Sequence, residues 1–304
     1  MANDLLDGLS LEGMADSLSD TSSNEVQTTE TENTPVDQAS SAVTTGNGSN
    51  YTITLDRPKF SKMTNALKLI ENICSDCQIK GGMVRTKTDN RKSIITLDLT
   101  SIIEDKDIMF SFLKGKLALL KTFELDMDVQ AEDNSIIIQS TNDYYEFCDC
   151  FSKMQFRKPV EDFLDNRYLD DATFAPIING CTEDALIFNY TVSKYVRSRM
   201  AKIGEGFKVD SIKFTFHGDH ACFGIETKSK DNVSKNATTI QTLKNISGKS
   251  FALINMPFTI AIESDMKISC YNLSNDFAMC KCELDFAGIP IVIYAKVKFI
   301  SDNA

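Results

Sequence analysis

From residue 51 onward the hydrophobic pattern of this chain passes twice through one order of elements. The alternating run Tyr51-Thr52-Ile53-Thr54-Leu55 reads as a strand. A helix follows over residues 58–76, with Pro58 at a first helical position and Phe60, Met63, Leu67, Ile70 and Cys74 along one stripe. Strands are expected over 79–87 and 93–103, a second helix over 107–123, and strands over 125–130, 135–140 and 143–151. The order then restarts: a strand over 186–192, a helix over 193–206, and strands over 211–216, 221–227 and 237–246. Residues 251–263 read as a strand end leading into a short helix, and strands over 266–273, 278–286 and 289–299 complete the run. The two first helices begin 135 positions apart, at Pro58 and Ser193. Identity between the halves is negligible, so element order alone carries the duplication. The expected class is α+β, with each half burying helix faces against antiparallel sheets.

Charge divides the chain differently. Lys and Arg number 32 against 43 Asp and Glu, a net charge of -11. Residues 1–50 hold nine of those acids (Asp4, Asp7, Glu12, Asp16, Asp20, Glu25, Glu30, Glu32 and Asp37) and no Lys or Arg. The remainder carries 43 − 9 = 34 acids against 32 bases and is nearly neutral. Rich in Ser, Thr, Asn and Asp, the first 50 residues bury too little apolar area to offset ordering entropy and are expected to be a disordered acidic tail. Within it, Leu5, Leu6, Leu9, Leu11, Met14 and Leu18 read either as a short partner-binding helix or as incidental leucines of a solvated segment. Residues 158–182, with Pro159, Pro176 and a cluster of acids, read as a connector between a domain at 51–157 and one at 183–304. No apolar run approaches a membrane span, and the acidic N-terminus lacks the features of a secretory signal. A reducing, cytoplasmic compartment is expected, so the nine cysteines read as free, buried thiols.

No catalytic constellation can be assembled, and the chain is expected not to be an enzyme and to need no cofactor or metal. Cys74-x-x-Cys77 lacks a second pair for zinc. His217 and His220 flank a turn sequence, Gly218-Asp219, and read as an exposed hairpin. Gly248-Lys249-Ser250 ends like a phosphate loop, but Leu243 stands where that loop needs glycine. Gly204-x-Gly206 lacks a third glycine and follows a helix.

The helices carry more information. On the first, Lys62, Asn65, Lys68 and Asn72 share the polar sector, with Ser61 and Glu71 at its edge. On the second, Lys114, Ala118 and Lys121 lie opposite Leu113, Leu117 and Leu120. On the third, Lys194, Arg197, Ser198, Ala201 and Lys202 fall together, with Tyr195, Val196, Met200 and Ile203 assigned to the core. Basic faces recurring on three helices of a duplicated unit point to phosphate contacts without sequence readout.

This pattern resembles the DNA polymerase sliding clamps, nearer to the bacteriophage T4 type and more distantly to PCNA clamps. The stretch Leu113-Lys114-Gly115-Lys116-Leu117-Ala118-Leu119-Leu120 with its acidic sequel, Leu253-Ile254-Asn255-Met256 ahead of a short helix, residues 60–74 with 78–99, and the terminal pair 277–285 and 289–298 carry the likeness. The tail lies outside the family's pattern, and the sparse charge near residues 256–263 departs from it.

The resemblance implies a homotrimeric, head-to-tail ring around duplex DNA that tethers a replicative polymerase and is loaded by an ATP-dependent clamp loader. It implies a DNA-facing set of Lys62, Lys68, Lys114, Lys121, Lys194, Arg197 and Lys202. It also implies a subunit interface on edge strands at 143–151 (Tyr144, Tyr145, Phe147) and 237–246 (Thr239, Gln241, Leu243). Two alternatives stand beside it: a clamp-fold viral processivity or transcription factor acting as a monomer or dimer, and a protein-interaction module without DNA binding. Abundant Asn, Lys, Ile and Asp point to an AT-rich genome, and so to a phage protein in the cytoplasm of a bacterial host.

Overall fold

The computed structural model describes residues 50–89, 91, 93–125, 135–159, 168–206, 208–228, 235–244, 249–254, 262–273 and 277–299. The acidic tail and the stretch 255–261, where the fourth helix is expected, lie outside them.

The first half opens with strand β1 (Tyr51–Asp56) and helix α1 (Arg57–Ile70). Asp56 caps the helix by accepting from the Lys59 amide at 2.7 Å, and Pro58 sits in its first turn, where no amide partner is needed. The predicted single strand over 79–87 is instead a hairpin, β2 (Cys77–Lys80) and β3 (Met83–Lys87). Gly81 and Gly82 make the turn with φ of +55° and +73°. The strand expected over 93–103 ends early: β4 (Ser93–Asp98) gives way to a helical turn, α2 (Thr100–Ile103), where Asp98 accepts from the Thr100 amide and hydroxyl. The second helix also starts later than the pattern predicts. Residues Ile108–Phe110 form strand β5, and α3 covers only Leu113–Leu120, followed by α4 (Thr122–Leu125). Strand character at 108–110 comes from pairing with β2, which overrides the local helical period. Of the strand expected at 125–130, residues 126–130 lie outside the described residues. Three strands close the half: β6 (Ser135–Ser140), β7 (Tyr144–Cys148) and β8 (Lys153–Arg157).

Part of the expected connector is ordered as helix α5 (Asp171–Asn179), capped by Asp170, which accepts from the Thr173 amide at 2.7 Å. It lies on the sheet surface through Phe174, whose ring meets Tyr294 edge-on at 5.4 Å, and through an ion pair between Arg85 and Asp171. The second half contains β9 (Leu186–Val192), α6 (Lys194–Gly206), β10 (Lys208–His217), β11 (His220–Lys228), β12 (Lys235–Lys244), β13 (Phe251–Ile254), β14 (Met266–Asn272), β15 (Phe277–Phe286) and β16 (Ile289–Lys298). His217 and His220 pair across the β10–β11 turn, the exposed hairpin expected of them.

Every described strand pair is antiparallel. Each half supplies two four-stranded units of matching order: β1-β6-β7-β8 with β5-β2-β3-β4, then β9-β14-β15-β16 with β13-β10-β11-β12. Strands β4 and β16 pair from Leu97–Ile291 to Ser93–Ala295, fusing two of the units into one eight-stranded sheet. The sheets of the second half face each other through aromatic rings. Phe188 meets Phe214 at 5.4 Å and Phe216 at 5.7 Å, and Phe214 stacks on Phe251 at 4.9 Å. One continuous core runs through both halves and takes in the buried faces of α1, α3 and α6.

Five thiols sit in that core, three of them together in the second half. Cys270 and Cys280 are directly opposed on β14 and β15 with sulfurs 2.7 Å apart, and Cys282 lies two residues along the same face. Cys74 and Cys77 are also buried, and no metal-binding group of three appears among the described residues.

The two turn glycines should behave differently on substitution. A Cβ at Gly82 would lie 2.0 Å from the Glu104 carbonyl oxygen, whereas one at Gly81 meets nothing within 4 Å. Gly82→Ala is expected to destabilise by roughly 2–4 kcal/mol and Gly81→Ala by about 1–2 kcal/mol, the left-handed backbone cost alone. Denaturant unfolding of the two variants measures the contrast.

Candidate nucleic-acid interface

The basic residues sit where three helices turn away from the core. On α1, Phe60, Met63, Leu67 and Ile70 are buried, while Lys59 and Lys68 are exposed; Asn72 is exposed just beyond the helix. Lys62 and Asn65 are half-buried at the margin. On α3, Leu113, Leu117 and Leu120 are buried, Lys114 and Ala118 are exposed, and Lys121 is half-buried. The expected faces of these two helices are therefore present. They are also joined, because Lys114 Nζ donates to Asn72 Oδ1 at 3.4 Å. Lys116 turns inward instead. Its Nζ lies 5.5 Å from the Phe156 ring centroid, and burial lowers its pKa.

Helix α6 departs from the expected orientation. Ser193 caps it by accepting from the Val196 amide, and Asp265 accepts from the Lys194 amide at 2.8 Å. With its start fixed this way, the helix buries Arg197 at 2% exposure and leaves Tyr195 73% exposed. Both assignments are corrected: Arg197 does not face solvent, and Tyr195 does not face the core. Arg197 Nη1 donates to the Ser264 carbonyl, while its Nε and Nη2 are buried without a partner among the described residues. Burial pulls its pKa down to about 10, against the opposing influence of Cys282 and Asp265. Its long stem carries the charge to a backbone oxygen through the core. The exposed face carries Lys194, Ser198, Arg199 and Lys202, with the Tyr195 ring beneath Lys194 Nζ at 5.5 Å. Arg199 is the functional candidate that sequence reasoning missed.

One hairpin brings the two halves' helices together. A Cβ at Gly288, in the β15–β16 turn, would lie 3.4 Å from Lys62 Nζ of α1. At the same turn the Asp285 amide donates to Ser264 Oγ, and Ser264 holds Arg197 of α6. Helices α1 and α6 therefore both lie close to the β15–β16 turn. Asp56 and Glu71 are the acidic residues at the two ends of α1, and Glu205 stands in the last turn of α6.

The expected interface residues also divide. Tyr145 and Phe147 are buried, because β7 is an interior strand between β6 and β8; only Tyr144 is exposed. The edge beyond β7 is β8, one strand further along. The other expected edge falls on β12, which carries Thr239, Gln241 and Leu243 and, among the described residues, pairs on one side only, with β11. Ile240 is an extra residue in that pairing, between Thr239 opposite Gly224 and Gln241 opposite Phe223.

Solved structures share this architecture. Proliferating cellular nuclear antigen of Entamoeba histolytica superposes with a TM-score of 0.50 at 11% identity, over 82% of this chain and 98% of that one. The A. fulgidus antigen, solved with the C-terminal region of FEN-1 bound, gives 0.51 at 9% identity over 83% and 99%. A putative DNA polymerase III beta subunit from Eubacterium rectale gives 0.50 at 13% identity, over 82% of this chain and 66% of that one. The chain has the sliding-clamp fold, as the sequence resemblance implies. No protein-family model matches it, and no curated protein does.

The orientation of α6 can be tested without any ligand. Arg197→Glu places a carboxylate in the core and is expected to cost at least roughly 3 kcal/mol of stability. Arg199→Glu, on the exposed face, should change it by less than about 0.5 kcal/mol. Equal effects in thermal or urea unfolding would contradict this orientation.

Proposed function

We propose that this protein is a sliding clamp: a homotrimeric ring that encircles duplex DNA, without sequence preference, and tethers a replicative polymerase. The observation that carries the reading is an internal joint with an unfilled counterpart. Strand β4 of the first half pairs with β16 of the second. The strands that hold the same places in the repeat are β12 and β8, and both are open edges among the described residues. A second copy can supply β8 to β12 by the pairing the chain already makes with itself. The contact is heterologous, so it repeats from copy to copy and closes only as a ring.

The basic helix faces fit the inside of such a ring. Exposed lysine and arginine on helices act on phosphates as a diffuse field, which holds a duplex without fixing its position. Retention then comes from enclosure, and weak contacts allow sliding. Catalysis has no part in this reading. Partners expected from the resemblance are the polymerase and an ATP-dependent clamp loader. The T4-type affiliation and a phage origin, with action in the cytoplasm of a bacterial host, belong to the same proposal and rest on the sequence.

A second reading, a clamp-fold factor acting as a monomer or dimer, has one observation in its favour. The extra residue Ile240 on β12 is the kind of irregularity that blunts an open edge. Mass in solution separates the two. Light scattering after size exclusion is expected to give three times 33.9 kDa, and a monomer at micromolar concentration would overturn the ring. Proline at Met154 or at Gln155 of β8 removes whichever amide points away from β7. That variant is expected to elute as a monomer with unchanged circular dichroism. Replacing Lys68, Lys114, Lys194, Arg199 and Lys202 by Glu should keep the trimer mass and abolish binding to duplex DNA. Unchanged DNA binding would sink the assignment of that face.

A further inference from the structure

The acidic segment has a basic surface within reach. Residues 1–49 carry nine carboxylates and no Lys or Arg, all nine between Asp4 and Asp37. The segment joins the body at exposed Asn50, one six-residue strand before α1. Six residues of strand span about 20 Å. A coil of 49 residues would have a root-mean-square reach of about 35–40 Å. The body, at about 250 residues, has a radius of gyration near 18 Å. Reach therefore does not limit which face the segment can visit, and electrostatics decides.

The candidate faces differ in charge. Lys68 and Lys114 lie together on α1 and α3, and Lys194, Arg199 and Lys202 are exposed on α6. Other exposed lysines sit beside acids of the body: Lys153 pairs with Glu146 at 2.6 Å and Lys267 with Glu283 at 3.5 Å. Side chains already paired offer a second carboxylate less than an open cluster does. The surface that suits a phosphate backbone also suits a run of spaced carboxylates.

We propose that residues 1–49 dock in cis on the basic helix face and hold the place of nucleic acid there until a duplex displaces them. The inference rests on the DNA-facing role given to that surface above and adds a regulation to it. Contact of the face with stray DNA outside an assembled ring is then suppressed, while a duplex, with its denser charge, displaces the segment. The interaction is spread over many weak pairs and is screened by salt.

Two measurements on the full-length chain test it. In the absence of DNA, a zero-length carbodiimide crosslinker should join carboxylates of residues 4–37 mainly to Lys68, Lys114, Lys194 and Lys202. Exposed Lys80, Lys153 and Lys267 serve as comparators. In parallel, a full-length variant with the nine acids changed to Asn or Gln should bind a short duplex roughly three- to tenfold more tightly at low salt, with the gain lost as salt rises. Crosslinks spread evenly over the lysines, or equal DNA affinity of the two proteins, would overturn the docking and leave the DNA reading intact. Concentrated crosslinks with no DNA binding by either protein would overturn the DNA reading and leave the docking.

Discussion

The pairing of β4 with β16 is the constraint on which the rest of this structure depends. Each half alone has two four-stranded units whose outer strands end in unpaired amides and carbonyls. The five residue pairs from Leu97–Ile291 to Ser93–Ala295 satisfy one such edge on each half. They do so among buried side chains, with Ile95, Leu97, Ile291 and Ile293 all in the core. Backbone pairing and apolar burial thus act at the same seam, which makes the halves one body with one core. The seam also fixes what is left over. Once β4 and β16 are used, β8 and β12 are the edges that remain in equivalent places, so the internal joint defines which edges stay open.

Much of the fold was legible because it rests on local period. The stripe Phe60, Met63, Leu67 and Ile70 lies on one helix face, and Asp56 with Pro58 marks where that helix begins. Hairpins such as the one at Gly218-Asp219 announce themselves by turn chemistry. The failures have a common cause in tertiary pairing. Strand β5 is three residues long, shorter than any window that distinguishes a strand from a helix, and exists because β2 offers it partners. The hairpin at Gly81-Gly82 was missed although the glycine pair is itself a turn signal, because residues 79–87 alternate on both sides of it and read as one strand.

The exposed basic faces of α1 and α3 were legible, and the orientation of α6 was misread, for a geometrical reason. Successive helical residues are about 100° apart. Val196, Met200 and Ile203 define an apolar stripe on α6, and Tyr195 and Arg197 flank its centre at nearly equal angles on opposite sides. Period alone cannot choose between them, and hydropathy favours the tyrosine. The choice is made by residues far away in sequence: Asp265, which holds the helix start, and the Ser264 carbonyl, which receives the guanidinium. Turning the helix toward Arg197 exposes Arg199 in its place, so the positive charge of the face is kept although its members change. The same remoteness explains the interface. Which strand is the edge depends on how many strands follow, and β8 was one more than the pattern counted.

The three clustered core thiols of the second half, Cys270, Cys280 and Cys282, have a use as built-in sensors of motion. Burial raises the pKa of Cys280 and Cys282 well above the ordinary thiol range, so the reactive thiolate is scarce as well as inaccessible. Reagent reaches them only when β14 and β15 separate beneath α6. The rate of their alkylation in native buffer is therefore a clock for the opening of that sheet. In a ring it would report how often a subunit breathes without any added label.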